Sequence, residues 1–384
     1  MSPPKIVAYS PYPEGHACAY IRIAAPMCAS GWNVVWAKES LDGGSGSDVR
    51  LARNADLIVI QRQFPALKRE KLLAALFRLG IPVVYDLDDM LLHLPESHPS
   101  SAELARRAPF IKWALNEADL VTVSTAPLSR LLETETGRPI RVQPNLVDWP
   151  LFEAPPGRRD GHGFRFLVSG TSTHSRDWAI IEEPLAEILA RHPGAARAVF
   201  FGEVPARFAG HPSVESIGFD SDYRSYAARL RALDVDAALV PLEDTTFNRC
   251  KSNIKWLEYS AVGIAGAYSD VTPYSSSIEH QRSGLLVENT SVGWFDAMSR
   301  LLTHRDEVDA MAEASRRQVL GEFSIESGVR RYASVYAELF GREHRRAMLT
   351  GAATLGARIG ARLRQSLADS AFINRHVRWR LNKR

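Results

Sequence analysis

The sequence predicts an α/β protein with two parallel-sheet domains, and three observations lead to this fold class. Short apolar runs typical of buried strands alternate with segments of helical periodicity along the 384 residues, as in parallel sheets with crossover helices. A stretch rich in Pro, Gly and charge at residues 154–163 interrupts the alternation and predicts a linker. A chain of this length can also bury two hydrophobic cores. We therefore expect one domain before the linker and another after it.

The composition is that of an ordinary globular protein. Hydrophobic residues make up 45% of the chain and charged residues 24%. The three cysteines, Cys18, Cys28 and Cys250, form neither a disulfide framework nor a zinc-binding pattern. The N-terminal residues lack the apolar core of a signal peptide, and no run of about 18 apolar residues predicts a membrane span. We therefore expect a cytoplasmic protein.

Positive charge is concentrated at the C-terminal end. The net charge is +3, but residues 342–384 carry 11 Lys or Arg against two acidic residues, which leaves the other 341 residues at −6. This distribution gives no indication that the body binds nucleic acid. Apolar positions between 348 and 367 recur every three or four residues beside arginines, as in a helix that lies on an anionic membrane surface. Packing of this apolar stripe on the protein body is the alternative.

The first half contains six predicted strands and a group of acidic residues. Asp86, Asp88 and Asp89 follow the fourth strand, at the edge where open α/β sheets bind ligands. Carboxylates so close together repel each other, so we expect at least one to have a raised pKa or a bound partner. The strands are predicted at 5–9, 33–36, 55–60, 81–85, 119–124 and 141–145, and helices at 66–79, 102–116 and 126–136 and between the first loop and Gly31.

The second half repeats the alternation and contains a candidate phosphate-binding loop. Its first strand, 164–169, runs into Gly170-Thr-Ser-Thr-His-Ser-Arg-Asp177 and a helix at 178–191. A glycine- and hydroxyl-rich loop at a helix N-terminus offers backbone N–H groups and a partial positive charge to an anion. Simple helix capping by Thr171, Ser172 and Asp177 is the alternative. Later strands are predicted at 197–201, 214–217 and 235–242, and helices at 223–233, 291–303, 305–320 and 324–340.

The segment 247–287 organises the rest of this half. It begins with a basic, hydroxyl-rich stretch that contains Arg249, Lys251, Ser252 and Lys255. A short helix carrying Glu258 follows, then a turn at Gly263, a strand that ends at Asp270 and a loop that reaches Gly284. If the strands align as in other α/β sheets, these cations lie at the ligand-binding edge and can meet a diphosphate.

Three motifs in this segment resemble those of a known enzyme family. They are K-S-x-I-K-x-x-E-Y-x-A-x-G-I at 251–264, S-D-x-x-P-Y at 269–274 and G-L-L-V at 284–287. Together they resemble the donor-binding segment of retaining glycosyltransferases of family 4, or group 1. The loop G-T-x-T-H-x-x-D at 170–177 resembles that of members linked to bacterial surface polysaccharides.

The resemblance implies the GT-B fold, in which two Rossmann-like domains face each other across a cleft. It places an acceptor-side domain at residues 1–153, the linker at 154–163 and a nucleotide-sugar donor domain at 164–322. A helix at 323–341 is expected to cross back to the first domain. The basic, amphipathic helical tail would follow at 342–384.

The resemblance also implies roles for individual residues. Glu258 is expected to hold the ribose hydroxyls, and Arg176, Lys251 and Lys255 to bind the donor phosphates. Asp88 and Asp89 are expected to contact acceptor hydroxyls or the donor sugar, and these two with Lys255 and Glu258 form the expected catalytic set. At the position where the family has another Glu in contact with the sugar, this chain has Cys250. Further expected substrate contacts are His16, Arg22, Gly170, Thr171, His174, Ser252, Pro273 and Tyr274.

The activity implied by the resemblance is sugar transfer from a nucleotide-diphosphate donor to a glycan or lipid-linked acceptor, with retention, in cell-surface polysaccharide biosynthesis. Asp86-Leu-Asp88 also spells the D-x-D pattern of metal-dependent glycosyltransferases of another fold. The cations downstream reduce the need for a metal, so we expect neither metal nor cofactor apart from the donor substrate. A nucleotide-sugar epimerase is one alternative. Cys250 leaves open another, a degenerate transferase that serves as a membrane-tethered scaffold. Whether the chain is an active transferase or a degenerate one, residues 346–384 would bind the inner face of the plasma membrane.

Overall fold

The computed structural model describes residues 2–37, 49–153 and 163–340. The predicted tail and, apart from Gly163, the predicted linker lie outside the described residues, so their membrane-binding and connecting roles stay predictions. Within the described ranges, no helix has both the length and the apolar character required to cross a bilayer.

The first sheet has six parallel strands in the order β2-β1-β3-β4-β5-β6. Its three central strands are apolar on both faces because helices cover both sides of the sheet. The strands are β1 (Lys5–Tyr9), β2 (Asn33–Trp36), β3 (Leu57–Gln61), β4 (Val83–Leu87), β5 (Leu120–Val123) and β6 (Ile140–Val142).

The first helical segment of the first half changes from α-helix to π-helix and back to α-helix. α1 (Ala17–Ala19) continues through a π-helical stretch, Tyr20–Ala24, into α2 (Ala25–Ala29), and Gly31 (φ +76°) ends this segment close to where the sequence predicts. The helix predicted at 66–79 is shorter, because residues 67–69 form a 3₁₀ turn. The remaining helices are α3 (Glu70–Leu76), α4 (Ser101–Glu117), α5 (Ala126–Leu132) and α6 (Trp149–Phe152), with a further 3₁₀ turn at Val49–Ala52.

The second sheet also has six parallel strands, in the order β12-β11-β10-β7-β8-β9. They are β7 (Phe164–Gly170), β8 (Ala196–Gly202), β9 (Val214–Ile217), β10 (Ala237–Val240), β11 (Ala265–Ser269) and β12 (Leu285–Val287). The helices are α7 (Ser175–Arg191), α8 (Tyr223–Ala232), α9 (Thr246–Arg249), α10 (Ile254–Ala261), α11 (Ser291–Thr303), α12 (Arg305–Phe323) and α13 (Ile325–Ala337), with 3₁₀ turns at Ser172–His174 and Ala206–Phe208.

The last helix returns to the first sheet. α13 buries Tyr332 and Tyr336 in a cluster that contains Ile6, Val59 and Val84 of the first sheet. At its start, the Ile325 backbone N–H donates to the Val147 carbonyl at 2.9 Å. The chain therefore closes on the half in which it began, and loops that follow strands of the first sheet contact the second half, as where the Thr125 hydroxyl donates to the Cys250 carbonyl.

Candidate nucleotide-sugar site

The phosphate-binding loop predicted from the sequence lies at the end of β7. Gly170 ends this strand with φ +149°, and a Cβ atom on the neighbouring Gly202 would lie 2.0 Å from the Gly170 carbonyl oxygen. Two glycines therefore allow the ends of β7 and β8 to approach closely. The chain then forms the 3₁₀ turn Ser172–His174 and enters α7, whose first N–H groups have no partner within the helix.

His174 and Asp177 form a hydrogen-bonded pair at the start of α7. His174 Nδ1 lies 2.8 Å from Asp177 Oδ2, and Asp177 is buried. The other carboxylate oxygen of Asp177 accepts hydrogen bonds from the Glu243 backbone N–H and from the Asn248 side-chain amide. Burial alone would raise the pKa of Asp177, but these bonds from His174 and Glu243 lower it. Asp177 is therefore ionised and holds His174 with its proton on Nδ1.

Two lysines from the segment after α9 lie beside this pair. Lys255 donates a hydrogen bond from Nζ to the Ser169 carbonyl at 2.8 Å, directly before the loop. Burial, together with Lys251, lowers the pKa of Lys255 to about 8. Lys255 in turn is the main cause that lowers the pKa of His174 to about 4, with burial second. At His174, the lysine charges and burial together therefore outweigh the effect of Asp177.

Glu258 lies one turn after Lys255 on α10 and is 5% exposed. Its two carboxylate oxygens accept hydrogen bonds from Tyr223 (2.8 Å) and Tyr226 (2.9 Å) of α8. Burial raises the pKa of Glu258 to about 7, although the two tyrosines and Lys255 act in the opposite direction. Because a carboxylate has about four acceptor positions, ribose hydroxyls could still bind beside the two phenols.

Across the cleft, the acidic residues at the end of β4 and directly after it are paired with arginines. Asp86 is fully buried and receives Arg22 Nη2 at 2.6 Å. Arg62 contacts both Asp88 and Asp89, the latter at 2.9 Å. Burial raises the pKa of Asp88 against the effect of Arg62, whereas Arg62 and Lys251 together outweigh burial and lower the pKa of Asp89. The expected charge repulsion is thus relieved by arginine partners and by one raised pKa.

A pocket of about 100 Å³ lies beside this acidic edge. Asp89, Arg62 and Gln63 supply polar groups, and leucines of the first domain supply an apolar wall. Phe247 closes the pocket from the second half of the chain. The remaining lining residues are Tyr12, Leu91, Leu94, His98, Ser100, Glu103 and Leu104.

The loop after β1 also joins the two halves. His16 stacks on Tyr12 with ring centroids 4.0 Å apart, and its backbone forms a β-bridge with Asp222. The Tyr223 backbone N–H donates to the Gly15 carbonyl at 2.8 Å. A Cβ atom on Gly15 would lie 2.5 Å from Asp222 Oδ2, so a larger residue at this position would displace the Asp222 side chain.

The segment around Cys250 is packed against the first half. Cys250 is 1% exposed and belongs, with Phe247, to the hydrophobic cluster under the first sheet. The Thr125 hydroxyl donates to the Cys250 carbonyl at 2.8 Å, and Asn145 Nδ2 donates to the Ser252 hydroxyl at 2.9 Å. Burial raises the pKa of the Cys250 thiol to about 11, so this side chain is an apolar contact between the halves.

Comparison with solved structures identifies this architecture. HepE from Anabaena, in complex with UDP and glucose, superimposes with a TM-score of 0.64 at 15% identity over 87% of this chain and 99% of that chain. Sucrose-phosphate synthase from Thermosynechococcus elongatus gives 0.62 at 15% identity over 88% and 99%. A glycosyltransferase from Rickettsia africae gives 0.58 at 12% identity over 89% and 100%. The chain has the GT-B fold. No family model matches the sequence, and no curated protein matches it.

The GT-B cleft brings together most, but not all, of the residues predicted from the sequence. Gly170, His174, Lys251, Lys255 and Glu258 belong to one neighbourhood around the end of β7 and the start of α10. Thr171 lies on the loop itself, where its hydroxyl contacts that of Thr173 at 3.0 Å. Pro273 and Tyr274 are buried, Tyr274 against Tyr268 in the core below the site.

Arg176 and Arg22 lie elsewhere. The Arg176 side chain is 63% exposed and forms a two-point ion pair with Glu243, at 2.6 and 2.9 Å. It is therefore directed toward solvent and already neutralised. Arg22 was expected to face the cleft but is 2% exposed, because its guanidinium compensates the buried Asp86 charge. That expectation is wrong, and Arg22 is part of the core.

Several residues of the site carry no motif in the sequence. Arg62 (φ +47°) and Gln63 directly follow β3, and only their position after a strand could have indicated them. Asp177 ends the motif at 170–177, but the sequence does not indicate that its carboxylate contacts His174 and Asn248. Among the residues described by the structure, there is no group of three or more His, Cys, Asp or Glu side chains that could hold a metal ion.

Proposed function

We propose that this protein is a glycosyltransferase that moves a sugar from a nucleotide-diphosphate donor to a hydroxyl group of a glycan or lipid-linked acceptor. One observation carries the proposal: in a GT-B cleft, Lys255 donates a hydrogen bond to the Ser169 carbonyl beside the glycine loop at the start of α7, and Lys251 lies close enough to act on the same loop. A diphosphate is the anion that such a loop and its helix N-terminus bind best. The structural neighbours crystallised with UDP and glucose or with UDP-glucose support the same ligand class.

The arrangement suits stabilisation of a leaving group. As the glycosidic bond to the nucleotide breaks, negative charge grows on the diphosphate. Fixed N–H groups and partly buried lysines stabilise that charge without reorganisation, and their partial burial strengthens the interaction. Glu258 would orient the nucleoside through its ribose, so the anomeric carbon would be placed toward the acidic edge across the cleft.

The acceptor is proposed to bind in the pocket beside Asp89. Its polar groups can hold sugar hydroxyls, while the leucines and Phe247 fit the apolar face of a sugar ring. We further propose retention of configuration, in which the leaving phosphate itself accepts the proton of the incoming hydroxyl. In that mechanism Asp88 and Asp89 orient the acceptor, and no metal takes part. A role in cell-surface polysaccharide biosynthesis completes the proposal.

A donor-binding protein without transfer activity is the second candidate. The observation that favours it is the burial of Cys250 in the first hydrophobic cluster, which removes this position from the cleft. The two candidates differ in turnover. A transferase releases nucleoside diphosphate from a nucleotide sugar faster when a glycan acceptor is added, whereas a binding protein gives no product with any acceptor.

Thermal stabilisation by UDP, GDP, ADP and CDP tests the nucleotide site, because a ligand that binds only the folded state raises the melting temperature. We expect at least one of them to stabilise the protein. Lys255→Met should weaken the binding of that nucleotide by about 10- to 100-fold, which is the range for loss of a charge-assisted hydrogen bond. Lys71→Met, which removes an exposed lysine of α3, is the matched control and should have no effect. Equal affinity of both variants would contradict the site assignment.

A further inference from the structure

His174 occupies an unusual position for a titratable side chain in a phosphate-binding loop. Its ring lies against Gly170, since a Cβ atom there would come within 2.8 Å of His174 Cδ2. Its Nδ1 atom is engaged by Asp177, and the side chain is 21% exposed. Because Asp177 accepts the Nδ1 proton, Nε2 carries the lone pair and is the only atom of the ring that can take up another proton.

The charged groups around His174 come from three elements. Asp177 lies on the same helix, Lys255 on α10, and Lys251 on the segment between α9 and α10. The nearby Glu243 carboxylate is occupied by Arg176. Two cations therefore oppose one anion around the imidazole. In the empty site this balance, with burial, keeps the pKa of His174 at about 4 and the ring neutral.

A diphosphate in the loop reverses this balance. It brings at least two negative charges next to the two lysines, and nearby negative charge favours the protonated form of an imidazole. Asp177 is already placed to stabilise the resulting imidazolium from the opposite side of the ring. Proton binding and diphosphate binding must then strengthen each other by the same factor.

We propose that His174 is a proton-linked ligand of the donor diphosphate: it takes a proton from solvent onto Nε2 when the diphosphate binds, and the imidazolium joins Lys251 and Lys255 as the third cation of the site. This inference rests on the proposed function and specifies how the donor is held. No covalent bond of the donor changes in the step. After sugar transfer, the same imidazolium stabilises the released nucleoside diphosphate, and loss of the proton accompanies product release.

Proton uptake on UDP binding tests this inference directly. Isothermal titration calorimetry at pH 6 in buffers of different ionisation enthalpy gives the number of protons bound per nucleotide, with GDP and ADP titrated in parallel. At this pH His174 of the free protein is neutral, and Lys255, whose pKa is about 8, already carries its proton. We expect the wild type to take up about 0.5 to 1 proton more than His174→Gln. His192→Gln, at the other end of α7, should behave as the wild type.

The comparison with His174→Gln and an NMR titration of the histidines together distinguish proton uptake by His174 from other sources of protons. The His174→Gln comparison cancels any proton released by the nucleotide itself, because both proteins bind the same ligand. If that variant does not fold, NMR titration of the 13C-labelled histidines of the wild type replaces it, and the inference requires one imidazole pKa to rise by about 2 units or more with UDP. Nucleotide binding with equal proton counts, or with no shifted imidazole, overturns this inference alone. Absence of binding by every nucleotide overturns it together with the proposed function.

Discussion

The two edges of the cleft balance their charges in different ways. On the first edge, each of the three carboxylates after β4 has an arginine partner, Arg22 for Asp86 and Arg62 for both Asp88 and Asp89. On the second edge, Lys251 and Lys255 face one carboxylate with a lowered pKa, Asp177, and one with a raised pKa, Glu258, and the two lysines lower the pKa of His174. On the first edge, each carboxylate is already compensated by an arginine. The second edge would instead be stabilised by the binding of an anion. This difference indicates which edge receives the charged part of a substrate.

The largest expected effect comes from breaking the compensation on the first edge. Arg22→Met leaves the Asp86 carboxylate buried without its partner, so we expect a loss of about 3 to 5 kcal/mol in the free energy of unfolding. Urea denaturation measures it. The double variant Arg22→Met/Asp86→Leu should recover more than half of the loss. A single variant as stable as the wild type would mean that the buried pair is not required.

A smaller effect is expected from the buried carboxyl group on the second edge. The folded-state pKa of Glu258 is about 7, above its ordinary value of 4.5. The unfolded chain therefore releases this proton first as the pH rises, and the wild type loses stability between pH 4.5 and 7. Relative to the wild type, Glu258→Gln should gain up to about 3 kcal/mol over that window.

Urea denaturation of both proteins at pH 4.5 and 7.5 measures this gain. Glu288→Gln, which changes an exposed carboxylate, is the control and should show none. If the stability of Glu258→Gln and of the wild type changes in parallel with pH, Glu258 is an ordinary carboxylate, and the contrast between the two edges weakens.

The smallest effect is expected at Arg176. Its guanidinium is exposed and already paired with Glu243, so Arg176→Ala should change the UDP dissociation constant by less than about threefold. The Lys255→Met variant provides the scale for comparison. If both substitutions weaken UDP equally, the excess positive charge of the second edge extends to the rim of the cleft, and the assignment based on Lys251 and Lys255 alone is incomplete.

Local patterns were sufficient to predict most of the fold. The two parallel sheets and the glycine loop at Gly170 follow from strand and helix periodicity, whereas the GT-B fold was implied by the family resemblance of the motifs at 251–287. The final helix, predicted at 323–341, is present at Ile325–Ala337. Such features depend on residues close together in the chain, and a sequence pattern reports these directly.

Partner choice was not predictable in the same way. Arg22 is expected from the sequence to contact a substrate, yet its guanidinium pairs with Asp86, 64 residues later. Cys250 occupies the position where the related family has a sugar-contacting Glu, but it packs in the hydrophobic cluster of the first sheet. Arg176 has the spacing of a phosphate ligand and instead binds Glu243. In each case a side chain can reach several partners, and only the packing of segments that are distant in the chain selects one.

The sequence by itself therefore determined the architecture, the place of the cleft and most of the polar residues that border it, because periodicity and strand ends are properties of short segments. The tertiary structure alone decided which charges are cancelled and which are left in excess. Electrostatic energy depends on distances of a few ångströms and on burial, and both are set where distant segments meet. The contrast between Arg22 in the core and Lys255 beside the loop could be read only there.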